Sequence, residues 1–316
     1  MKTVPASALE PKTKHIRSSE LITHILTSYH YKKTELDDEL SALIYKHYLK
    51  NLDQNKAYFL KSDIDEFDHY KYEIDDALIR SDLNPAFEIF KRYRNRVDER
   101  IRFALEMINT DFDFSIDETY RFDRREDDWL VDKANLDKLW YKRVKNDVLN
   151  LKLTKKEPDE IKQTLIARYN RILNSTLQLN SNDVFQSFIN AYTTSIEPHT
   201  AYFSPRTSEN FDIRMRLSLE GIGAVLRGDN DYTEVVKIIK GGPADLSNEL
   251  KADDRIVGVA QGGESKIVDV IGWRLDDVVD LIRGPKGSII RLEVLPKDIG
   301  AEGTSKVVLM TRDEIK

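Results

Sequence analysis

The stretch RLSLEGIGAVLRG, residues 216–228, governs the reading of the whole chain. Strand-forming residues flank Gly221-Ile222-Gly223, although glycine weakens a strand interior. Two glycines one residue apart, directly before Ala-Val-Leu, suit either a bulge or a loop that turns successive backbone N–H groups toward one point. In the second case Gly221 and Gly223 let the backbone amides of Ile222, Gly223 and Ala224 converge on an anion, such as the carboxylate that ends a peptide. The strand that follows, Ala224–Arg227, then leaves one edge open. A peptide adds there as an extra antiparallel strand, with main-chain bonds for affinity and alternate side-chain pockets for selectivity.

The opposite wall is the helix expected from RLDDVVDLI, residues 274–282. Leu275, Val279 and Ile282 recur at i, i+4 and i+7 and share one face. With Ile222, Ala224 and Leu226 they form an apolar slot, which predicts a ligand ending in a small or medium apolar residue. Taken singly, a Gly-x-Gly pair more often makes a turn, and such a helix face is more often plain core. The order of elements favours the slot: glycine loop, strand, GGPAD turn and helix, DDRIVGV strand, then a second helix ending at RGPKGS.

Working outward, glycine is frequent beyond residue 220 and short β-rich runs recur: GAVLRG, TEVVKII, DRIVGVA, IIRLEVL and KVVLMT. Two helical runs are interleaved, GPADLSNEL and RLDDVVDLIR. This composition predicts one small domain with a largely antiparallel, partly closed sheet. Upstream, from about Glu20 to Tyr192, the apolar period is helical. Phe87, Phe90, Val97, Ile101, Ala104, Leu105 and Ile108 fall on one face, for example. Ser62 in SDIDEF and Asn84 before Pro85 read as helix caps, and Pro158 opens a further helix. The helical part is expected to hold six to eight helices.

The chain has 316 residues, enough for two or three domains, and 33% of them are charged, which suits a long solvated helical region. A net charge of −6 argues against sequence-independent binding of nucleic acid. There is no cysteine, so disulfides, thiolate catalysis and Cys-based zinc sites are excluded. No stretch approaches the roughly 20 apolar residues that span a bilayer, and the polar start lacks the apolar segment of a secretory signal. The start suits a cytoplasmic protein or the N-terminus left after a signal is removed.

The ordered motifs EGIGAVL, GGPA, DRIVGV, VIGWRLDDVVDLIRGPKGS and IIRLEVLP resemble the PDZ domain of the tail-specific, or carboxy-terminal processing, serine proteases. NLDQNKAYFLKSDIDEF (51–67), LWYKRVKNDVLNLKL (139–153) and SIEPHTAYFSP (195–205) are similar to the helical N-terminal region of the large periplasmic members. The resemblance implies an all-α domain over 1–181, a linker and start of the protease platform over 182–214, a PDZ domain over 215–312, and a lead-in to a missing core over 313–316. It implies a periplasmic endopeptidase that engages apolar C-termini, with a helical-repeat lipoprotein as a partner. The Ser–Lys dyad of that family lies beyond Lys316, so no residue here is assigned to catalysis, and no cofactor or metal is expected. The competing reading is a non-enzymatic protein that captures C-termini through the same groove. If a core is missing, Phe185, Phe188, Tyr202 and Phe203 are expected to be partly exposed where it packed. Asp253 stands where the family usually has glycine before Asp-Arg-Ile.

Several other signals are set aside. GPKGS (284–288) lacks the spacing of a phosphate loop and follows a helix, so it reads as a turn. The arginines of KRYRNRVDERIR (91–102) read as a solvated helix face. RREDD (124–128) lacks the loop of a calcium hand. His199 is expected to be a hydrogen-bonded packing residue, and the other five histidines lack metal-ligand pairing.

Overall fold

The computed structural model describes residues 4–5, 8–216, 219–229, 231–297 and 304–315. The chain divides into two compact units, with the division between Ser204 and Pro205.

The first unit is helical: α1 (Thr13–Ser28), α2 (Asp38–Leu52), α3 (Lys61–Phe67), α4 (Ile74–Ile79), α5 (Asn84–Met107), α6 (Lys133–Leu153), α7 (Pro158–Leu177) and α8 (Ser181–Ile196), with a 3-10 turn at Asp68–Tyr72. Its apolar stripes feed two cores. Ile44 and Tyr48 of α2, Phe87 and Phe90 of α5, and Phe188 and Tyr192 of α8 meet in one. Val97 and Ile101 of α5, Trp140 of α6, and Leu165 and Tyr169 of α7 meet in the other. One continuous face of α5 therefore serves both cores in succession, which is why its sequence period runs unbroken.

Local polar chemistry fixes the connections. The Asp53 carboxylate accepts the N–H groups of Ala57 (2.8 Å), Tyr58 (2.9 Å) and Phe59 (2.9 Å), holding the NLDQNKAYF turn. Trp140 Nε1 donates to the Ala57 carbonyl at 2.7 Å and seals the turn against α6. The α8 start is a reciprocal box: Asn180 Oδ1 accepts the Asn182 N–H, and Asp183 accepts the Asn180 N–H, both at 2.8 Å. Two caps differ from expectation. Ser62 lies inside α3, and the cap bond comes instead from Asp63, which accepts the Leu60 N–H at 2.9 Å. Asn84 is itself in the first turn of α5, with Leu83 at the cap position.

The arginines at 91–102 are not a uniformly solvated face. Arg92 and Arg96 close on the buried Asp63 at 2.6 and 2.8 Å, while Arg94 and Arg100 are buried. The aromatic expectation is also corrected for two residues. Phe185 and Phe188 are buried in the α2–α5–α8 core because α8 is a central helix of this unit. Tyr202 packs against that core in part, and Phe203 alone of the four is exposed, at 44%.

The second unit begins with α9 (Pro205–Arg216) and continues as β1 (Leu219–Gly221), β2 (Ala224–Asp229), β3 (Tyr232–Ile238), α10 (Pro243–Ser247), β4 (Arg255–Gln261), β5 (Val268–Asp269), α11 (Leu275–Ile282), β6 (Ile289–Leu295), β7 (Lys306–Thr311) and β8 (Asp313–Ile315). All five expected strands and both expected helices are present. The main sheet runs β2-β3-β4-β6-β7 with β5 beside β4, and β1 pairs with β8 apart from it. Every pairing is antiparallel. Its core gathers Val235, Ile256, Val278, Ile290, Leu292, Val294 and Val308.

The 182–214 segment is divided, with α8 and the loop to Ser204 in the helical unit and α9 in the β-rich one. Residues 313–315 form β8 and belong to the β-rich unit because they pair with β1. Residues 217–218 and Lys316 lie outside the described residues.

Candidate functional site

Gly223 has φ +75°, the left-handed region that favours glycine. A Cβ there would lie 3.1 Å from Gly242 Cα and 3.2 Å from Ile315 Cδ1, so space as well as dihedral excludes a side chain. Gly221 behaves differently. It is a β1 residue paired with Asp313, has no positive φ, and a Cβ on it would meet open space. Of the two glycines, only Gly223 stands in the left-handed region. The pairing of β1 with a strand some ninety residues later carries no local sequence signal.

The carbonyls of this loop point inward. The Ala244 N–H donates to the Ile222 carbonyl and the Ile239 N–H to the Gly223 carbonyl, each at 2.8 Å. Among the described residues, neither the Ile222 N–H nor the Gly223 N–H has an acceptor. Alternate residues of an antiparallel ladder exchange bonds, so Ala224, which follows the bonded Gly223, turns its own N–H away from β3. That side of β2 is unpaired, because β2 is the edge of the sheet. A bulge between Val225 and Leu226 adds local twist to the same strand.

The side chains named for the slot separate into two groups. Ile222 and Ile282 are buried in the domain core, whereas Ala224, Leu226, Leu275 and Val279 are partly buried. Helix α11 packs against β2 and β4. Its firmest core contact is Val278, fully buried and absent from the expected set. The signal was present in DDVVDL, where Val278 and Ile282 also stand four apart.

Helix α9 holds α11 from behind. Arg206 Nη2 reaches Asp277 Oδ1 at 2.8 Å and Asp280 Oδ2 at 2.6 Å, and Arg283 Nη1 donates to Asn210 Oδ1 at 2.7 Å. At about 100° per residue, Asp277 and Asp280 stand roughly 140–200° around the helix from Leu275. The clasp therefore leaves the Leu275–Val279 face uncovered by these contacts. A separate cleft of about 470 Å³ is lined by Glu209, Asp212, Glu220 and Glu314 with Arg283. Its carboxylates disfavour an anionic chain end.

Two features close to the loop carried no weight in the sequence reading. Ile315 supports Gly223 from below. Arg312 is buried on the core face after Val308 and Met310, a period-two pattern that could have marked it as inward-facing.

Asp253 adopts φ +69°, and Lys297 holds its carboxylate at 2.6 Å, so the turn survives without glycine. GPKGS forms a turn closed by the Ser288 N–H on the Pro285 carbonyl at 3.0 Å. His199 is not packed: its side chain is 91% exposed and, among the described residues, pairs with Glu197, Nδ1 to Oε1 at 2.7 Å. Glu197 lies at the end of α8 and reaches back to the following turn, which leaves the imidazole in solvent. Among the described residues no group of three His, Asp or Glu side chains is placed to hold a metal ion. No helix among them is long and apolar enough to cross a membrane.

Residues 22–206 match the model of the tail-specific protease N-terminal domain, and residues 211–295 match that of the PDZ domain. A tail-specific protease of Haemophilus influenzae is 38% identical over 99% of this chain and 46% of its own length. The carboxy-terminal processing protease CtpA of Bacillus subtilis is 33% identical over 33% of this chain and 21% of its own. The chain thus spans less than half the length of either relative. Among solved structures, the PDZ domain of a carboxy-terminal protease from Vibrio cholerae, in complex with peptide, is 56% identical. It covers 31% of this chain and 98% of that one, with a TM-score of 0.30.

Proposed function

The chain belongs to the tail-specific protease family, and from that premise we propose that its PDZ domain is the substrate sensor of a periplasmic serine endopeptidase. The domain captures apolar C-termini of proteins. The observation that carries this reading is the pair of unengaged N–H groups at Ile222 and Gly223, set at the head of an unpaired strand. A terminal carboxylate there accepts charge-assisted bonds from Ile222, Gly223 and Ala224, and the preceding residues of the peptide extend β2. Leu275 and Val279, with Ala224 and Leu226, contact its apolar side chains.

Hydrolysis is assigned to a Ser–Lys dyad in sequence beyond this chain, and none of the residues here takes a catalytic role. Binding biases the enzyme toward its active arrangement only to the extent that the peptide binds that arrangement more tightly. A helical-repeat lipoprotein adaptor belongs to the same proposal and has no assigned surface.

The test is a titration of this chain with a peptide ending in apolar residues, beside the same peptide with an amidated end. The amide removes the charge that the loop receives, so the free acid is expected to bind at least about tenfold more tightly. Equal affinities would remove the carboxylate from the recognition and the sensor role with it.

A further inference from the structure

Between β7 and β8 stands an arginine with 2% of its surface exposed. The Arg312 guanidinium makes its hydrogen bonds to neutral acceptors. Nε donates to the Ile282 carbonyl at 2.7 Å. Nη2 donates to Gln261 Oε1 at 2.6 Å and to the Leu281 carbonyl at 3.1 Å, and Nη1 to Ser288 Oγ at 2.9 Å. Among the described residues no carboxylate stands within ion-pair distance of it. A buried charge without a counter-charge is costly, and an apolar residue of similar volume is often the more stable choice. The partial negative charge at the C-terminus of α11 offsets part of that cost. Stability alone is thus a weak reason for an arginine here.

What it grips suggests the stronger reason. Gly221 pairs with Asp313 across β1 and β8, so Arg312 leaves the sheet opposite the start of the carboxylate loop. Ile315 supports Gly223 from the same short strand. The Arg312 side chain meanwhile holds the last two carbonyls of α11, at Leu281 and Ile282. One segment, Arg312–Ile315, therefore fixes both the loop and the near end of the helix. On the recognition proposed above, the last side chain of a bound peptide enters between these two.

We infer that Arg312 is a specificity-determining positioning residue: by locking the last turn of α11 at a set distance from the loop, it limits the size of the terminal side chain the domain accepts. This rests on the C-terminal recognition proposed above. Gly284 gives an independent handle on the same contact. A Cβ at Gly284 would lie 3.0 Å from both Cζ and Nε of Arg312, so alanine there displaces the guanidinium while leaving the arginine in place.

The experiment uses the full 316-residue chain and peptides that differ only in a terminal Ala, Val, Leu or Phe, each as acid and as amide. Affinities and melting temperatures are measured for the wild type, Arg312→Lys, Arg312→Met and Gly284→Ala. The expected result is a change of about fivefold or more in the Phe-to-Val affinity ratio for Arg312→Met and Gly284→Ala. Arg312→Lys, which keeps the charge but loses the planar fork, falls between them and the wild type. A uniform weakening for all four termini, in step with the melting temperature, would overturn the inference and leave Arg312 a purely structural cap. If Arg312→Met does not fold, unchanged ratios in Gly284→Ala and Arg312→Lys overturn it just as well. A wild-type chain that binds acid and amide alike overturns the recognition proposal itself, and this assignment falls with it; that outcome is read before any variant is compared.

Discussion

Gly223 carries two demands at once, a left-handed backbone and a site where an added Cβ would lie 3.1 Å from Gly242 Cα. Replacing it with alanine is expected to cost about 1–2 kcal/mol from the dihedral alone, with a further loss from displaced backbone. Affinity for the free-acid peptide should fall in the same variant, because the Ile222 and Gly223 amides move. Gly221→Ala is the control: it meets open space at an ordinary φ, so its melting temperature and affinity should stay close to wild type. Loss of binding in Gly221→Ala, with Gly223→Ala unaffected, would reverse the roles given to the two residues. The difference between these glycines was not legible in GIGA itself. It depends on Ile315 and on β8, which arrive at the loop from the far end of the domain. By contrast Ala224, Leu226, Leu275 and Val279 were readable, since strand alternation and helical period are local properties. Arg312 was half readable. The alternation of KVVLMTR aims it inward, but a charged residue at an inward position is normally discounted.

Among the elements, α1 and α8 are joined through a buried histidine. His15 Nδ1 accepts the Lys12 N–H at 3.1 Å, so that nitrogen carries no proton, and Nε2 pairs with Asn182 Oδ1 at 2.9 Å. The ring also stacks on Phe185 with 4.9 Å between centroids. Burial lowers its pKa below the ordinary 6.5, with Lys14 and Lys12 adding to the effect and the Asn182 bond opposing it. The unfolded chain therefore takes up this proton first as pH falls. The contribution of His15 is complete above the unfolded value near 6.5 and declines below it, toward the lower folded pKa. His15→Phe keeps the stack but not the titration. The stability gap between wild type and variant is expected to be wider at about pH 7.5 than at about pH 5.5, read from denaturant midpoints. Parallel pH curves for the two proteins would show that the folded imidazole titrates as freely as the unfolded one. His47, bonded to Ser195 at 2.8 Å and also lowered by burial, leaves a residual acid sensitivity in both proteins.

For the whole molecule, the end of the helical period near Tyr192 and the glycine-rich strands beyond residue 220 made the two-part organisation visible, but they did not place the division. Helix α9 is polar over most of its length, and as sequence it reads like a linker. What assigns it to the PDZ unit is the reach of Arg206 to Asp277 and Asp280, residues more than seventy positions away. The same unit closes with β8 on β1, so its first and last segments are both fastened. Its core, centred on Val235, Ile256, Leu292 and Val308, is built from its own strands and helices. A segment with a complete core and both ends paired satisfies the physical requirements of an autonomous domain. Residues 205–316, produced alone, are expected to melt in a single cooperative transition and to keep the acid-over-amide preference of the full chain within about twofold. Starting the segment at 217 removes α9 and frees Asp277 and Asp280. That version should still fold, but α11 should be less firmly held, with faster hydrogen exchange over 275–283. Equal exchange in the two segments would reduce the Arg206 clasp to an incidental surface ion pair. Failure of 205–316 to melt cooperatively would show that its core is not complete within these residues.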